Sequence, residues 1–312
     1  MSQTRRLFII NSVSVSMGAA ILTDISAFGI FNRNTNALKI SLAEWSINRA
    51  LYANELSNLD FPVYARNEFG INAVEYVSRF FKGTGMDYLS ELLNRTRDHG
   101  VMNLLIMIDD EGNLGDLYDP ARIQAVERHF RWVDAAKILG CHSIRVNAGG
   151  EGTAEEVGKA AIDGLGRLTE YAEKQEINVI VENHGGYSSN AKWLVNVISQ
   201  VNSKYCGTLP DFGNFCIRKG IVDGKETCFN EYDRYQGVEE LMPFAKGVSA
   251  KSHDFNDQGN ETSTDYRKMI QIIRNAGYTG HIGIEYEGNR LSEKEGIIAT
   301  KRLLEKAYNE LL

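Results

Sequence analysis

The chain has 312 residues, with 34 Lys+Arg against 41 Asp+Glu and hence a net charge of −7, and it is 43% hydrophobic and 24% charged, the composition of an ordinary globular protein. That acidic balance leaves no basic footprint for a phosphate backbone and argues against nucleic acid as a partner. Length alone allows about two average domains, but one α/β barrel commonly takes roughly 250 residues, and four prolines with no Ser/Gly-rich or like-charge run leave no interdomain linker.

Residues 1–36 read as an export signal and linker, and residues 37–312 as the folded domain. Thr4-Arg5-Arg6-Leu7-Phe8-Ile9 leads into a mostly apolar stretch reaching about Phe31. Asn11, Ser12, Ser14, Ser16 and Asp24 interrupt it, which suits a signal peptide better than a stable membrane span. The Arg-Arg pair before Leu-Phe-Ile resembles a twin-arginine signal, which exports folded proteins. The expected location is periplasmic or exported, the alternative being a cytoplasmic protein with an N-terminal extension.

From Leu38 onward, short apolar runs alternate with helical periodicity about eight times, the pattern of a parallel sheet with crossover helices. The predicted strands are 38–42, 73–76, 104–108, 143–146, 178–181, 207–209, 247–250 and 282–284. Several are continuously apolar, as strands covered on both faces should be. Asp119-Pro120 is expected to open a helix that Gly140 ends, and Ala154 to Glu176 is the longest helical stretch. Thr264 is expected to cap the helix ending at Gly277, and Ser292-Glu293-Lys294-Glu295 is a capping-box pattern for the last helix. No Gly-x-Gly-x-x-Gly follows the first strand, so the pattern predicts a single-domain (β/α)8 barrel over a doubly wound sheet. In such a barrel, active sites lie at the carboxyl ends of the strands.

At three of those ends an apolar run meets a carboxylate at once: Val179-Ile180-Val181 before Glu182, Gly207-Thr208-Leu209-Pro210 before Asp211, and Ile282-Gly283-Ile284 before Glu285. Converging buried acids repel one another, and a divalent cation is the simplest remedy. In the seventh strand, alternation puts Ser249, Lys251 and His253 on one face. His253 is then the imidazole to complete a mixed nitrogen and oxygen set, suited to manganese or zinc and less to magnesium. Cys141, Cys206, Cys216 and Cys228 form no Cys-x-x-Cys pair and define no metal site. They read as buried or idle thiols, although Cys216 and Cys228 flank one predicted loop and are the pair that an oxidising compartment would join.

Over residues 38–312 the sequence resembles the sugar phosphate isomerase/epimerase superfamily with the xylose-isomerase-like barrel. The matching motifs are Glu182 in Val-Glu-Asn-His, Asp211 in Asp-Phe-Gly-Asn and Glu285 in Gly-Ile-Glu-Tyr-Glu. The resemblance implies that strands five to eight offer Glu, Asp, His and Glu to one divalent ion, whether manganese, zinc, magnesium or cobalt. Ser249 stands where the family usually has its histidine, so either His253 reaches back to the ion or water completes the shell and Lys251 contacts substrate. Glu182 and Glu285 resemble the family's acid/base pair, removing and returning a proton through an enediolate, with the ion as Lewis acid. His184 and Asn214 match positions that often contact substrate hydroxyls. Lys251, Arg145, Glu75 and Trp45 complete the expected substrate-binding set. Glu44 and Glu287 are read as facing outward, and Asp109-Asp110-Glu111 as a solvated loop.

The function expected is a metal-dependent sugar isomerase or epimerase acting on a small carbohydrate, with a homo-oligomer possible. The same equipment suits a lyase that cleaves 3-keto-glycosides by β-elimination, and export favours that alternative. A three-zinc AP endonuclease is disfavoured by six histidines, several away from the mouth, and by the acidic charge. A noncatalytic carbohydrate-binding barrel is the remaining reading.

Overall fold

The computed structural model describes residues 38–312; the export-signal reading of residues 1–36 lies outside them. The strands are β1 (Lys39–Ala43), β2 (Ala73–Val77), β3 (Met102–Met107), β4 (Ser143–Val146), β5 (Asn178–Glu182), β6 (Cys206–Leu209), β7 (Cys216–Val222), β8 (Lys225–Glu231), β9 (Val248–Ser252) and β10 (His281–Tyr286). Eight form one parallel sheet in the order β6-β5-β4-β3-β2-β1-β10-β9, while β7 and β8 pair as a separate antiparallel hairpin. Parallel bridges Thr208–Ala245 and Asp211–Ser249 join the two ends of the sheet. At that seam the Lys246 N–H donates to the Thr208 carbonyl at 3.0 Å, Ser249 to Pro210 at 2.9 Å and Phe212 to Ser249 at 3.1 Å. The sheet is therefore closed, and the predicted (β/α)8 barrel is the fold.

Helices fill each crossover: α1 (Asn48–Tyr52) and α2 (Phe61–Phe69) after β1, then α3 (Met86–Asp98), α4 (Asp119–Leu139), α5 (Ala154–Glu173), α6 (Ala191–Val201), α7 (Arg234–Leu241), α8 (Tyr266–Asn275) and α9 (Glu293–Asn309). Gly140 ends α4 at φ 75°, and Ser292 with Glu295 forms the capping box of α9. Two expected caps move. Asp119 lies within the first turn of α4 and pairs with Arg122, and α8 is capped by Asp265, which accepts from the Lys268 N–H, while Thr264 Oγ1 accepts from Arg234. Among the described residues, no helix is long and apolar enough to cross a membrane.

The strands alternate strictly between two environments. Leu42, Val74, Ile106, Ile144, Val179, Val181, Val248, Ala250, Ile282 and Ile284 face the helices, in the large outer core. Ala43, Val77, Leu105, Met107, Ile180 and Leu209 fill a smaller core inside the barrel. A side chain two residues beyond an inner residue also points inward, so the next inner positions form the mouth.

Below the mouth, Glu75 is buried and accepts a 2.6 Å hydrogen bond from Ser41 Oγ. It occupies space that only a glycine on β10 leaves free: a Cβ on Gly283 would come 2.6 and 2.7 Å from the two Glu75 carboxylate oxygens. Gly283→Ala is expected to lower stability by about 1–3 kcal/mol, the usual cost of overpacking. Denaturant melts check this, and shortening the obstacle in Gly283→Ala/Glu75→Ala should recover most of the loss.

The hairpin β7–β8 is an insertion between β6 and α7. It stands where the sequence predicts only a loop beside Cys216 and Cys228, and it escapes sequence reading because β8 is exposed along its whole length and so has no apolar alternation. Cys216 and Cys228 are joined in a disulfide across it, with Cα atoms 5.8 Å apart, which corrects the expectation of four idle thiols. Cys141 and Cys206 are free and buried, as expected.

Candidate active site at the barrel mouth

Glu182 ends β5 two residues after the inner Ile180, Asp211 follows β6 two residues after the inner Leu209, and Glu285 lies on β10 two residues after Gly283. Each therefore points to the axis. They are 1%, 0% and 3% exposed, and one oxygen from each lies within 4.8 Å of the others. Asp211 is fixed by backbone N–H groups of Gly213 and Asn214, both donating to Oδ1 at 2.8 Å. Asn183 ties β5 to this turn, accepting from the Asp211 N–H at 2.8 Å and donating to the Asp211 carbonyl at 3.0 Å.

Ser249 sits between the acids. Its hydroxyl lies 2.6 Å from Asp211 Oδ2 and 2.9 Å from Glu285 Oε2, in position to donate to one at a time. His253 does not join the group: β9 ends at Ser252, and His253 lies beyond it, exposed, with its backbone N–H turned to Glu261. The alternation that placed it beside Ser249 and Lys251 stops with the strand. The donors brought together are thus all oxygen, in contrast to the mixed set expected.

Two cations are buried with the acids. Arg145 on β4 donates to Asp109 Oδ1 at 3.0 Å, and its Nε lies 2.9 Å from Glu182 Oε2 without the alignment of a hydrogen bond. Lys251 Nζ lies 3.3 Å from Glu285 and 3.1 Å from Glu287. Burial pushes the Glu182 and Asp211 carboxyls up to about 7, against the opposing pull of Arg145 and Lys251 respectively. Burial also opposes ionisation of Glu285, but Lys251 and then Arg145 hold it below the usual carboxylate range. The built-in cations satisfy Glu285 and leave Glu182 and Asp211 short of positive charge. That shortage, with the all-oxygen donors, fits a divalent cation.

Above the acids opens a cavity of 370 Å³, lined in part by Trp45, Arg79, Asp109, Arg145, Asn147, His184, Glu285 and Glu287. Of the expected substrate-binding residues, Trp45, Arg145 and His184 line it. Asn214 reaches the site from the side, donating from Nδ2 to Glu182 Oε1 at 3.0 Å. Lys251 lies deeper, between Glu285 and Glu287, and Glu75 is in the barrel floor, away from the cavity wall.

Three acidic readings change. Glu287, the residue after β10, still faces inward and pairs with Lys251, because its N–H donates to the Ser252 carbonyl at 2.9 Å and carries the β9–β10 ladder one step further. Asp109 is part of the mouth, two residues beyond the inner Met107; Asp110 is exposed and paired with Arg79 at 2.6 Å, and Glu111 is buried against Trp132. Glu44 is fully buried, accepting from Asn58 Nδ2 at 2.8 Å and from the Val77 N–H at 2.9 Å.

Burial pushes Glu44 up to about 8 from 4.5, against those two donors. Between these values the folded chain holds a proton that the unfolded chain has released, so stability falls as pH rises across the window. Glu44→Gln removes that proton uptake. The urea midpoint of the wild type should therefore drop relative to the variant as pH increases; parallel pH curves for the two proteins would contradict this.

Residues 63–307 match the family of xylose isomerase-like TIM barrels, and the chain belongs to that family. Among solved structures, it is similar to a D-tagatose 3-epimerase-like protein at 16% identity and TM-score 0.63, covering 88% of this chain and 98% of that one. It is also similar to 3-keto-D-glucoside 4-epimerase from E. coli, at 13% identity and TM-score 0.61 over 86% of this chain and 100% of that one. A xylose isomerase-like TIM barrel protein from Mycobacterium smegmatis, in complex with magnesium, matches at 14% identity and TM-score 0.63 over 89% and 99%. No curated protein sequence matches the chain with significance.

Proposed function

We propose that the protein is a divalent-metal-dependent sugar epimerase or isomerase, with Glu182 and Glu285 removing and returning a proton at a carbon beside a carbonyl. The observation that carries this reading is the buried convergence of Glu182, Asp211 and Glu285, all within 4.8 Å, beneath a polar cavity open to small molecules. Family membership and epimerase neighbours support the class of reaction. Glu182, Asp211, Glu285 and Ser249 would hold the ion, which when bound polarises the substrate's carbonyl and hydroxyl oxygens.

The remaining work falls to the chain itself. Glu182 and Glu285 come from separate strands, which gives each a different approach to a bound ring, and inversion requires a proton acceptor and a donor on opposite faces. Asn214 orients the Glu182 carboxyl through its 3.0 Å hydrogen bond. Arg145 and Lys251 keep negative charge tolerable at the mouth, and Trp45 offers an aromatic wall for a sugar face.

The test is solvent exchange. The protein is incubated with magnesium or manganese in D2O with a panel of ketohexoses and 3-keto-glycosides, and proton NMR follows deuterium entering beside the carbonyl. Exchange accompanied by an epimer or isomer supports the reading. Exchange with release of the aglycone assigns the lyase instead, and no exchange on any member of the panel removes proton transfer as the function.

A further inference from the structure

A second cavity, of 560 Å³, adjoins the first. The two follow each other along the same loops: after β4, Asn147 lines the first cavity and Ala148 the second, and after β5, His184 lines the first and Gly185 the second. The inner wall of the second cavity is nearly bare backbone. Gly149 and Gly150 form one part, and Gly185 and Gly186, at φ 86° and 58°, form another in a conformation that favours glycine.

The outer wall is the inserted hairpin. Phe229 lines the cavity from β8, yet its side chain remains 52% exposed. Its ring is nonetheless held in place: it lies close over Gly220, where a Cβ would come within 2.5 Å of it, and the Arg218 guanidinium stands 6.0 Å from its centroid. The Cys216–Cys228 disulfide fixes this wall, since each cysteine directly precedes a lining residue, Ile217 and Phe229. Tyr187 supplies a second ring, anchored by donating its hydroxyl proton to the Gly152 carbonyl at 2.7 Å.

Anchored rings facing a wall of glycines, which leaves room for a ring between them, suit the apolar face of a pyranose. We propose that this cavity is a second sugar subsite, so that the natural substrate is a glycoside carrying a further pyranose ring beyond the one held over the acids. The inference rests on the carbohydrate reading of the first cavity and extends it from a monosaccharide to a disaccharide-sized ligand.

The test compares glucose with cellobiose, maltose, sucrose and trehalose by calorimetry on the wild type in the presence of magnesium. At least one disaccharide should bind at least about tenfold tighter than glucose, about 1.4 kcal/mol. In Phe229→Ala, whose side chain is half exposed, the ratio of the two dissociation constants should fall toward one. Glucose binding with no disaccharide advantage overturns the subsite and leaves the carbohydrate reading standing, as does an advantage that persists in both Phe229→Ala and Tyr187→Ala. Binding of none of the five sugars overturns the subsite, and the carbohydrate reading is then decided separately by the exchange panel of ketohexoses and 3-keto-glycosides.

Discussion

Glu182→Gln and Glu285→Gln should each slow deuterium exchange by about 10²–10⁴-fold, the range for loss of a positioned acid or base, on whichever sugar the wild type turns over. Glutamine keeps the size of each side chain but cannot take up or deliver the proton. Asn214 can still donate to an amide oxygen at position 182, and Ser249 to one at position 285, so both variants should fold. Thermal melts close to that of the wild type would establish this. A variant that folds and keeps exchange within a factor of about two of the wild type, far short of that range, would remove its residue from the acid/base pair.

Ser249→His should exchange the preferred metal. With Ser249 the converging donors are all oxygen, a set suited to magnesium or manganese. An imidazole at the same inward position of β9 would stand among Glu182, Asp211 and Glu285 and create the nitrogen-containing set that favours zinc. Zinc affinity relative to magnesium should rise at least about tenfold, about 1.4 kcal/mol, as read by calorimetry or by competition with a chelator. An unchanged ratio would mean that position 249 does not face the ion. Ser249→Ala separates lost hydroxyl from added imidazole: it should weaken magnesium binding without raising the preference for zinc.

The barrel was legible because its strands are short, apolar and regularly spaced, and because Gly140 and the Ser292 box mark helix ends by local chemistry. Glu182, Asp211 and Glu285 were legible for a related reason: a carboxylate immediately after a continuously apolar run has few ways to avoid the mouth. Parity carried further than it was taken. It places Glu287 inward with Glu285, and Asp109 inward with Met107; Asp109 directly follows the apolar run 104–108, but with Asp110 and Glu111 after it reads as part of an acidic loop, and Glu287 follows no such run. His253 shows the opposite error, since alternation holds only while the strand lasts and nothing in Ser252-His253-Asp254 announces where β9 stops. Glu44 was misread because its partners, Asn58 and the Val77 amide, come from other elements. The hairpin could not be read from periodicity at all, and only the spacing of Cys216 and Cys228 hinted at it.

The seam between β6 and β9 has a consequence for the apoprotein. The other neighbouring strands pair over two or more residues, whereas here two isolated bridges and a few backbone bonds around Thr208, Pro210 and Ser249 hold the circle shut. Asp211 and Ser249 sit on opposite sides of that join, so an ion gripping both would act as a rivet. Chelation should then register as faster amide hydrogen exchange at Lys246, Ser249 and Phe212, while the β2–β3 region opposite keeps its protection.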